Sequence, residues 1–170
     1  SESSLKVLKA LCQQVTIQPV PNVRRWAHGL GSLVSGRSAT EGMFRSQELA
    51  RDIRAWSRKI PFDAVLVFCS SMYQFAQLPE FDDLPIVVDL VDVDSEKWLN
   101  YSASAPFWKK PLYRLEARRV RQLEIEIANR AKAVLLVSEQ EVNVFRNYCD
   151  NDNVHSVSNG VDLEFFTPQF

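Results

Sequence analysis

Short, uninterrupted apolar runs separated by helix-length segments constrain the fold of this chain more than any other feature. Two runs are apolar throughout, at residues 64–69 and 133–137, and a third follows Pro85 at residues 86–88. Residues 15–20 are predicted to form a strand as well, and a weaker run at 154–157 is the fifth predicted strand. Strands that are apolar along their whole length are typical of parallel sheets, whose faces are covered by helices.

The segments between these runs carry the periodicity of amphipathic helices. Three of them have start signals: a serine N-cap at Ser46, a first-turn proline at Pro111, and a capping box at residues 138–141. A leucine stripe over residues 5–11 predicts a helix at the start of the chain. Because strands that alternate with helices pair in parallel, we predict an α/β fold with a doubly wound, mainly parallel, Rossmann-like sheet.

Composition narrows the class of protein. The 170 residues suffice for one domain with a substantial core. The formal net charge of −1 provides no global positive field for binding nucleic acid. Three cysteines without a C-x-x-C spacing are typical of a reduced, cytoplasmic protein, and no run approaches the roughly 20 apolar residues of a membrane span.

The residues that follow the third predicted strand are the main candidates for chemistry. Asp92 and Asp94 lie just beyond the carboxyl end of that strand, where open α/β sheets bind ligands. Three interpretations are open: Asp92 contacts a substrate in a cleft, Asp92 and Asp94 hold a divalent cation, or Asp94 or Ser95 caps the next helix. For Asp92 the cleft is favoured. Asp89, inside the strand, is expected to be a paired, structural carboxylate.

Two hydroxyls are expected at the same edge of the sheet. Ser70 and Ser71 follow the strand at residues 64–69, so they are predicted to lie near Asp92. Their hydroxyls either hold a polar ligand or cap the helical segment that continues through Tyr73. His28 and His155 are not placed as general bases, so no catalytic triad is predicted.

An apolar stripe flanked by arginines occupies residues 23–34. Its apolar positions are Val23, Trp26, Leu30, Leu33 and Val34, with Arg24, Arg25 and Arg37 beside them. This pattern fits a helix at a membrane interface, and it also fits a helix packed on the sheet. Packing on the sheet is the preferred expectation, and a peripheral contact with the inner membrane is the alternative.

The C-terminal part of the chain resembles a known family. A strand with a serine-capped helix at residues 133–139 is followed by His-Ser-Val-Ser-Asn-Gly-Val-Asp at 155–162 and Phe-Phe-Thr-Pro at 165–168. This order resembles the end of the N-terminal domain in family 4 glycosyltransferases of the GT-B fold, with Ser158 in place of the family's proline. With residues 62–68 and 89–98, the chain resembles sugar transferases linked to exopolysaccharide synthesis and PEP-CTERM systems in bacteria.

The resemblance implies that residues 1–170 form a partial N-terminal, acceptor-side domain. The first strand and the C-terminal nucleotide-sugar-binding domain are then expected to lie outside the chain, and the fragment alone is expected to be inactive. The implied reaction is transfer, with retention, from a nucleoside-diphosphate sugar to a glycan or lipid-linked acceptor. No metal or other cofactor is expected in this fragment.

The resemblance also implies roles for individual residues. Many family members have a histidine where Val91 stands here, so Asp92 becomes the catalytic candidate. The other roles are acceptor binding by Ser70, Ser71, Asp94 and Lys97, and an interdomain cleft at Ser138, Glu139, Asn159, Gly160 and Asp162. Two rival functions stay open: a metal-dependent phosphotransferase or nucleotide-sugar enzyme that uses Asp92 and Asp94, and a non-catalytic Rossmann-like interaction module.

Overall fold

A four-stranded parallel sheet organises the chain. The computed structural model describes residues 2–160. The strands are β1 (Val65–Phe68), β2 (Ile86–Val91), β3 (Ala133–Leu136) and β4 (Val154–Ser156), and each pairs in parallel with the next. The α/β class and the parallel sheet predicted from the apolar runs are confirmed. Within residues 2–160 the strand order runs in one direction, so double winding stays a prediction.

Seven α-helices and two short 3₁₀ helices are present in the described residues. The helices are α1 (Glu2–Leu11), α2 (Asn22–Val34), α3 (Ala39–Met43), α4 (Gln47–Ser57), α5 (Asp94–Ser104), α6 (Lys110–Arg130) and α7 (Glu139–Arg146), with 3₁₀ helices at Ser70–Phe75 and Pro79–Phe81. The two predicted serine caps are confirmed, because Ser46 Oγ accepts from Leu49 N at 3.1 Å and Ser138 Oγ accepts from Glu141 N at 3.3 Å. The other half of the predicted capping box is wrong, since the Glu141 side chain accepts from Val93 N instead. Among the described residues, none of these helices combines the length and apolar character needed to cross a bilayer.

The core lies on one face of the sheet. Val88, Val134 and Leu136 are almost completely buried there, together with Ile127 of α6 and Phe145 of α7. The other face is more open, and Leu66 and Phe68 of β1 are exposed. Beside them, α1, α4 and β1 border an apolar groove of about 680 Å³. The alternation of buried and open positions along each strand therefore gives the sheet two different faces.

The predicted strand at residues 15–20 is wrong, since this segment has no regular secondary structure. Pro19 and Pro21 supply no N–H to a strand ladder. Side chains tie the segment down instead: Thr16 Oγ1 and Gln18 Nε2 each donate to Asp52 Oδ2 of α4 at 2.7 Å. The apolar residues of this segment did not predict its structure, because the segment is held by hydrogen bonds from its polar side chains.

The expected packing of residues 23–34 on the sheet is also wrong. These residues form the predicted helix, α2, but the helix packs on α3 through its small residues Gly29 and Ser32, which are buried. Its large apolar side chains, including Trp26 and Leu30, are exposed. The apolar stripe is therefore on the outer side of the helix.

Candidate functional site

Two strand ends at the same edge of the sheet have unusual backbone geometry. Cys69 follows β1 with φ of 72°, and Val91 ends β2 with φ of 68°. In the described part of the chain these are the non-glycine residues with positive φ. A β-branched residue rarely adopts this conformation, which costs of the order of 1–3 kcal/mol and is concentrated at functional sites. The carboxyl ends of β1 and β2 are thus the natural place to look for a site.

A tight turn at the end of β2 holds Val91 in this conformation. Asp92 N donates to Leu90 O at 2.9 Å across Val91, which is the bond of a three-residue γ-turn. Val91 N donates to Asp89 Oδ1 at 3.0 Å, and the β2–β3 register shifts between Asp89 and Val91. Asp89 thus has the partner that the sequence analysis expected, and its structural role stays a prediction. The turn ends the strand abruptly and brings Asp92 to its edge.

Four predicted site residues, Ser70, Asp92, Asp94 and Lys97, form one connected polar group. Lys97 Nζ lies 2.8 Å from Asp92 Oδ2 and 3.2 Å from Asp94 Oδ1. Ser70 Oγ donates to Asp94 Oδ2 at 3.0 Å, so a polar chain runs from the end of β1 to the end of β2. All four side chains come from the carboxyl edge of the sheet or the first turn of α5. Their proximity, expected from the strand-end rule, is present in the structure.

Charge within this group favours the ammonium form of Lys97. Partial burial disfavours the charge, but hydrogen bonds and the negative charges of Asp92 and Asp94 outweigh it and raise the pKa of Lys97 above its ordinary value. Burial raises the pKa of the nearby Cys69 thiol, and the charges of Asp94 and Asp89 raise it further. Lys97 is therefore a cation at neutral pH, and Cys69 is a thiol rather than a nucleophilic thiolate.

Helix α5 begins without a cap of its own. Its N-cap is Val93, so the expectation that Asp94 or Ser95 caps this helix is wrong. Two glutamates from other helices take that role: Val93 N donates to Glu141 Oε2 at 2.8 Å, and Ser95 N donates to Glu124 Oε1 at 3.0 Å. The start of the helix is therefore held by α7 and α6 rather than by local sequence.

Glu124 is the buried anchor of this arrangement. Its carboxylate is fully buried and also accepts from Tyr148 Oη at 2.8 Å. Burial raises the pKa of Glu124, although the hydrogen bonds from Ser95 and Tyr148 partly oppose the shift. Burial and the Glu124 charge raise the pKa of Tyr148, which keeps its hydroxyl a donor. The first turn of α5, which carries Lys97, thus rests on a fixed polar network.

A polar cleft of about 420 Å³ opens between α5 and α7. Its lining is dominated by polar side chains, namely Asp92, Glu96, Lys97, Asn100, Gln140 and Glu141, together with Val93 and Val144. Sequence reasoning missed four of these, Glu96, Asn100, Gln140 and Glu141. A signal was available for α5, because Glu96, Lys97 and Asn100 recur at the three-to-four-residue spacing of one helix face.

The remaining predicted residues occupy different surroundings. Ser71 is buried, and it does not cap the following 3₁₀ helix; nor does Ser70, since the N-cap there is Cys69. Both cap expectations are therefore wrong. Ser138 caps α7, and Glu139 accepts a hydrogen bond from Ser156 Oγ.

Of the predicted interdomain cleft, Asn159 and Gly160 are exposed beyond β4, and Asp162 lies outside the described residues. Together with Ser138 and Glu139, Asn159 and Gly160 follow the carboxyl ends of β3 and β4. They therefore lie at the same edge of the sheet as Asp92. Their role at an interface with a second domain stays a prediction.

The donor set shows what the edge can bind. Across the described residues, no three histidine, cysteine or acidic side chains converge as a metal site. Between Asp92 and Asp94 lies the Lys97 ammonium, in the position that a bridging cation would take. The cleft lining is rich in carboxylate and amide groups and supplies one cation, Lys97. Such a lining can hydrogen-bond neutral hydroxyl groups more readily than it can hold a phosphate.

Comparison with known proteins assigns no family. The chain matches no family model, and no curated protein matches it significantly. The resemblance to family 4 glycosyltransferases therefore stays a prediction from the residue pattern.

Proposed function

We propose that this chain is the acceptor-binding, Rossmann-like domain of a retaining glycosyltransferase. The acceptor, a glycan or lipid-linked sugar, binds in the cleft between α5 and α7. The observation that carries the proposal is the pairing of Asp92 with Lys97 at a strained strand end, at the mouth of a cleft lined by carboxylates and amides. The finer assignments, a GT-B half-enzyme in exopolysaccharide synthesis in the cytoplasm, are part of the same proposal.

The chemistry of the lining supports a hydroxyl-rich ligand. Carboxylate oxygens of Asp92 and Glu141 accept hydrogen bonds from hydroxyls, and the amides of Asn100 and Gln140 both donate and accept. A phosphate would meet the acids of the cleft before the one lysine, which two aspartates already pair. This charge balance favours a cleft that binds a sugar acceptor over a phosphotransferase site at Asp92 and Asp94.

In this proposal Asp92 orients the acceptor. Its carboxylate accepts a hydrogen bond from the attacking hydroxyl, and Lys97 holds the carboxylate in place from the other side. The donor, a nucleoside-diphosphate sugar, is assigned to a second domain, and no residue of this chain is assigned to it. The contribution of residues 1–170 is positioning, which lowers the entropic part of the barrier.

Ligand-observed NMR with the purified chain tests the proposal. Mono- and oligosaccharides are screened alongside inorganic phosphate and Mg²⁺, and saturation transfer is expected for at least one sugar. Asp92→Asn should weaken that sugar's binding by about tenfold, since a charged hydrogen bond is replaced by a neutral one. Asp63→Asn, at an exposed aspartate before β1, is the matched control and should bind as the native chain does.

Two results would count against the proposal. Binding of Mg²⁺ or phosphate that Asp92→Asn abolishes, without any sugar binding, would favour the phosphotransferase. Sugar binding that Asp92→Asn and Asp63→Asn leave equally intact would place the acceptor elsewhere on the chain.

A further inference from the structure

The large apolar side chains of helix α2 face solvent rather than the rest of the protein. Val23, Trp26, Leu30 and Val34 are 82%, 68%, 66% and 83% exposed. At about 100° per residue they fall within an arc of roughly 80°. The buried face, marked by Gly29 and Ser32, lies on the other side of the helix. The amphipathic pattern is thus reversed relative to a helix that packs its apolar stripe on a core.

Close backbone contact fixes this orientation. A Cβ added at Gly42 of α3 would lie 2.5 Å from Ser32 Cβ and 2.6 Å from the His28 carbonyl oxygen. A Cβ at Gly29 would lie 3.0 Å from Met43 Cγ. Because glycines allow α2 and α3 to approach this closely, the larger residues of the stripe cannot replace them at the contact. Rotation of α2 that would bury Trp26 is therefore excluded by size.

The α2–α3 pair is in turn anchored to α6. Glu116 of α6 accepts from Ser38 Oγ at 3.0 Å, from Ala39 N at 2.8 Å and from Thr40 N at 2.8 Å. This carboxylate is buried and caps the start of α3. The exposed stripe consequently belongs to a firmly held element of residues 2–160.

Positive charge accompanies the apolar stripe. Arg24 is exposed, and no acidic residue occurs between Asn22 and Thr40. Arg25 is also exposed, but it lies on the α3 side of the helix, with its guanidinium carbon 5.4 Å from the centre of the Phe44 ring. Arg24 lies 3.5 Å from Glu48, but an exposed pair of this kind contributes little. The chain as a whole has a formal net charge of −1, so this basic character is local.

A second patch has the same composition. Phe107 and Trp108, at the turn before α6, are exposed, and Lys109 Nζ lies 4.8 Å from the Trp108 ring centre. The first turns of α6 continue it with exposed Leu112 and Arg114. Exposed aromatic and aliphatic side chains interspersed with lysine and arginine are typical of surfaces that lie at the boundary between lipid head groups and acyl chains.

We propose that α2 is a membrane-surface helix that binds anionic phospholipid bilayers. Trp26, Leu30 and their neighbours in the stripe enter the head-group boundary, while Arg24 contacts lipid phosphates. A second copy of the chain is a poorer occupant, because it would account for the stripe alone, whereas lipid also accounts for the exposed aromatic and basic side chains of the second patch. This inference does not rest on the proposed function, since it needs no sugar and no catalysis.

Vesicle co-sedimentation of the purified chain tests it. The vesicles are phosphatidylcholine alone, or phosphatidylcholine with about one quarter phosphatidylglycerol. Binding to the anionic vesicles should be at least about tenfold tighter and should weaken as salt is added. Trp26→Ser with Leu30→Ser should reduce binding by about tenfold or more, and Arg24→Gln should reduce it by about fivefold.

Two matched controls use exposed residues elsewhere. Val157→Ser removes an exposed apolar side chain after β4, and Arg58→Gln with Lys59→Gln removes two exposed charges at the end of α4. Both should bind as the native chain does. Circular dichroism should show all variants folded, since every substituted side chain is exposed.

Several outcomes would overturn the inference. These are failure to bind anionic vesicles, equal losses in the stripe variants and the controls, or concentration-dependent dimerisation that Trp26→Ser abolishes while vesicles stay unbound. The last result would assign the stripe to a second copy of the chain. Sugar binding in the NMR experiment is unaffected by any of them, so the two proposals fail separately.

Discussion

Two strand-to-helix junctions at one edge of the sheet are built in contrasting ways. From β3 the chain passes into α7 through Ser138, whose own hydroxyl caps the helix. From β2 it passes through a register shift and a positive-φ valine into α5, whose first amides are capped by Glu124 and Glu141. The first junction is specified locally and is regular. The second depends on distant residues, is strained, and gathers the polar side chains of the candidate site.

The contrast between the two junctions predicts that a substitution of Glu124 causes the largest loss of stability. Glu124→Ala leaves the amide of Ser95 and the hydroxyl of Tyr148 buried without an acceptor. Unfolding in urea should show a loss of about 3 kcal/mol, because each unsatisfied buried group costs roughly 1–3 kcal/mol. A loss below that of Ser138→Ala would mean that the distant caps matter less than the local one.

The buried carboxyl group of Glu124 also makes the stability of the protein depend on pH. Burial raises the folded-state pKa of Glu124 above the ordinary 4.5, so the folded protein holds this proton more tightly than the unfolded chain. The associated stability is complete below about pH 4.5 and is lost as pH rises through the folded pKa. Urea titrations at several pH values should therefore show that the free energy of unfolding of Glu124→Gln increases relative to that of the native chain as pH rises. A constant difference would contradict the assignment.

The locally capped junction should respond more mildly. Ser138→Ala removes the acceptor of Glu141 N at the first turn of α7. The expected cost is about 1 kcal/mol of unfolding free energy, the usual value for an N-cap serine. Ser138→Asp, which retains a side-chain acceptor at the same place, is the control and should restore most of the loss.

Strain at the β2 junction gives an opposite expectation. Val91→Gly should leave stability within about 1 kcal/mol of the native value, because relief of the positive φ offsets the entropic cost of glycine. Val87→Gly is the matched control, since Val87 is a half-buried valine of the same strand with ordinary backbone geometry. That variant should lose clearly more in thermal or urea unfolding. Equal losses at the two positions would show that Val91 stores no strain.

The smallest effect on stability is expected at the candidate site itself. Asp92 is about one-third exposed, and its partner Lys97 is more exposed still. Asp92→Asn should change the free energy of unfolding by no more than about 0.5 kcal/mol, as for other surface pairs. The same variant should nevertheless weaken sugar binding. A large loss of stability would make Asp92 a structural residue.

The predictable parts of the molecule are those governed by neighbours in sequence. Continuous apolar runs revealed the strands of the sheet, and serine caps revealed the starts of α4 and α7. The same rule failed at residues 15–20, where polar side chains bond to Asp52 and prolines interrupt. The outward face of α2 was not predictable, because periodicity defines a stripe without saying which way it points.

In the candidate site, too, the features that depend on local sequence were predictable and those that depend on distant residues were not. The strand-end rule brought Asp92, Asp94 and Ser70 together, since it depends only on where strands stop. Glu124 and Glu141 reach α5 from helices that follow it by tens of residues, and no local pattern marks them. The positive φ of Val91 was equally hidden, because it results from the turn and the register shift acting together.

The one-directional order of the strands has a consequence for how the chain acquires its structure. Within residues 2–160, each strand from β2 to β4 pairs with the strand that precedes it in sequence. The sheet can therefore extend one strand at a time as the polypeptide emerges during synthesis, with each new strand docking on an edge that already exists. Every loop to be closed then spans neighbouring segments only, which keeps the entropic cost of each step small.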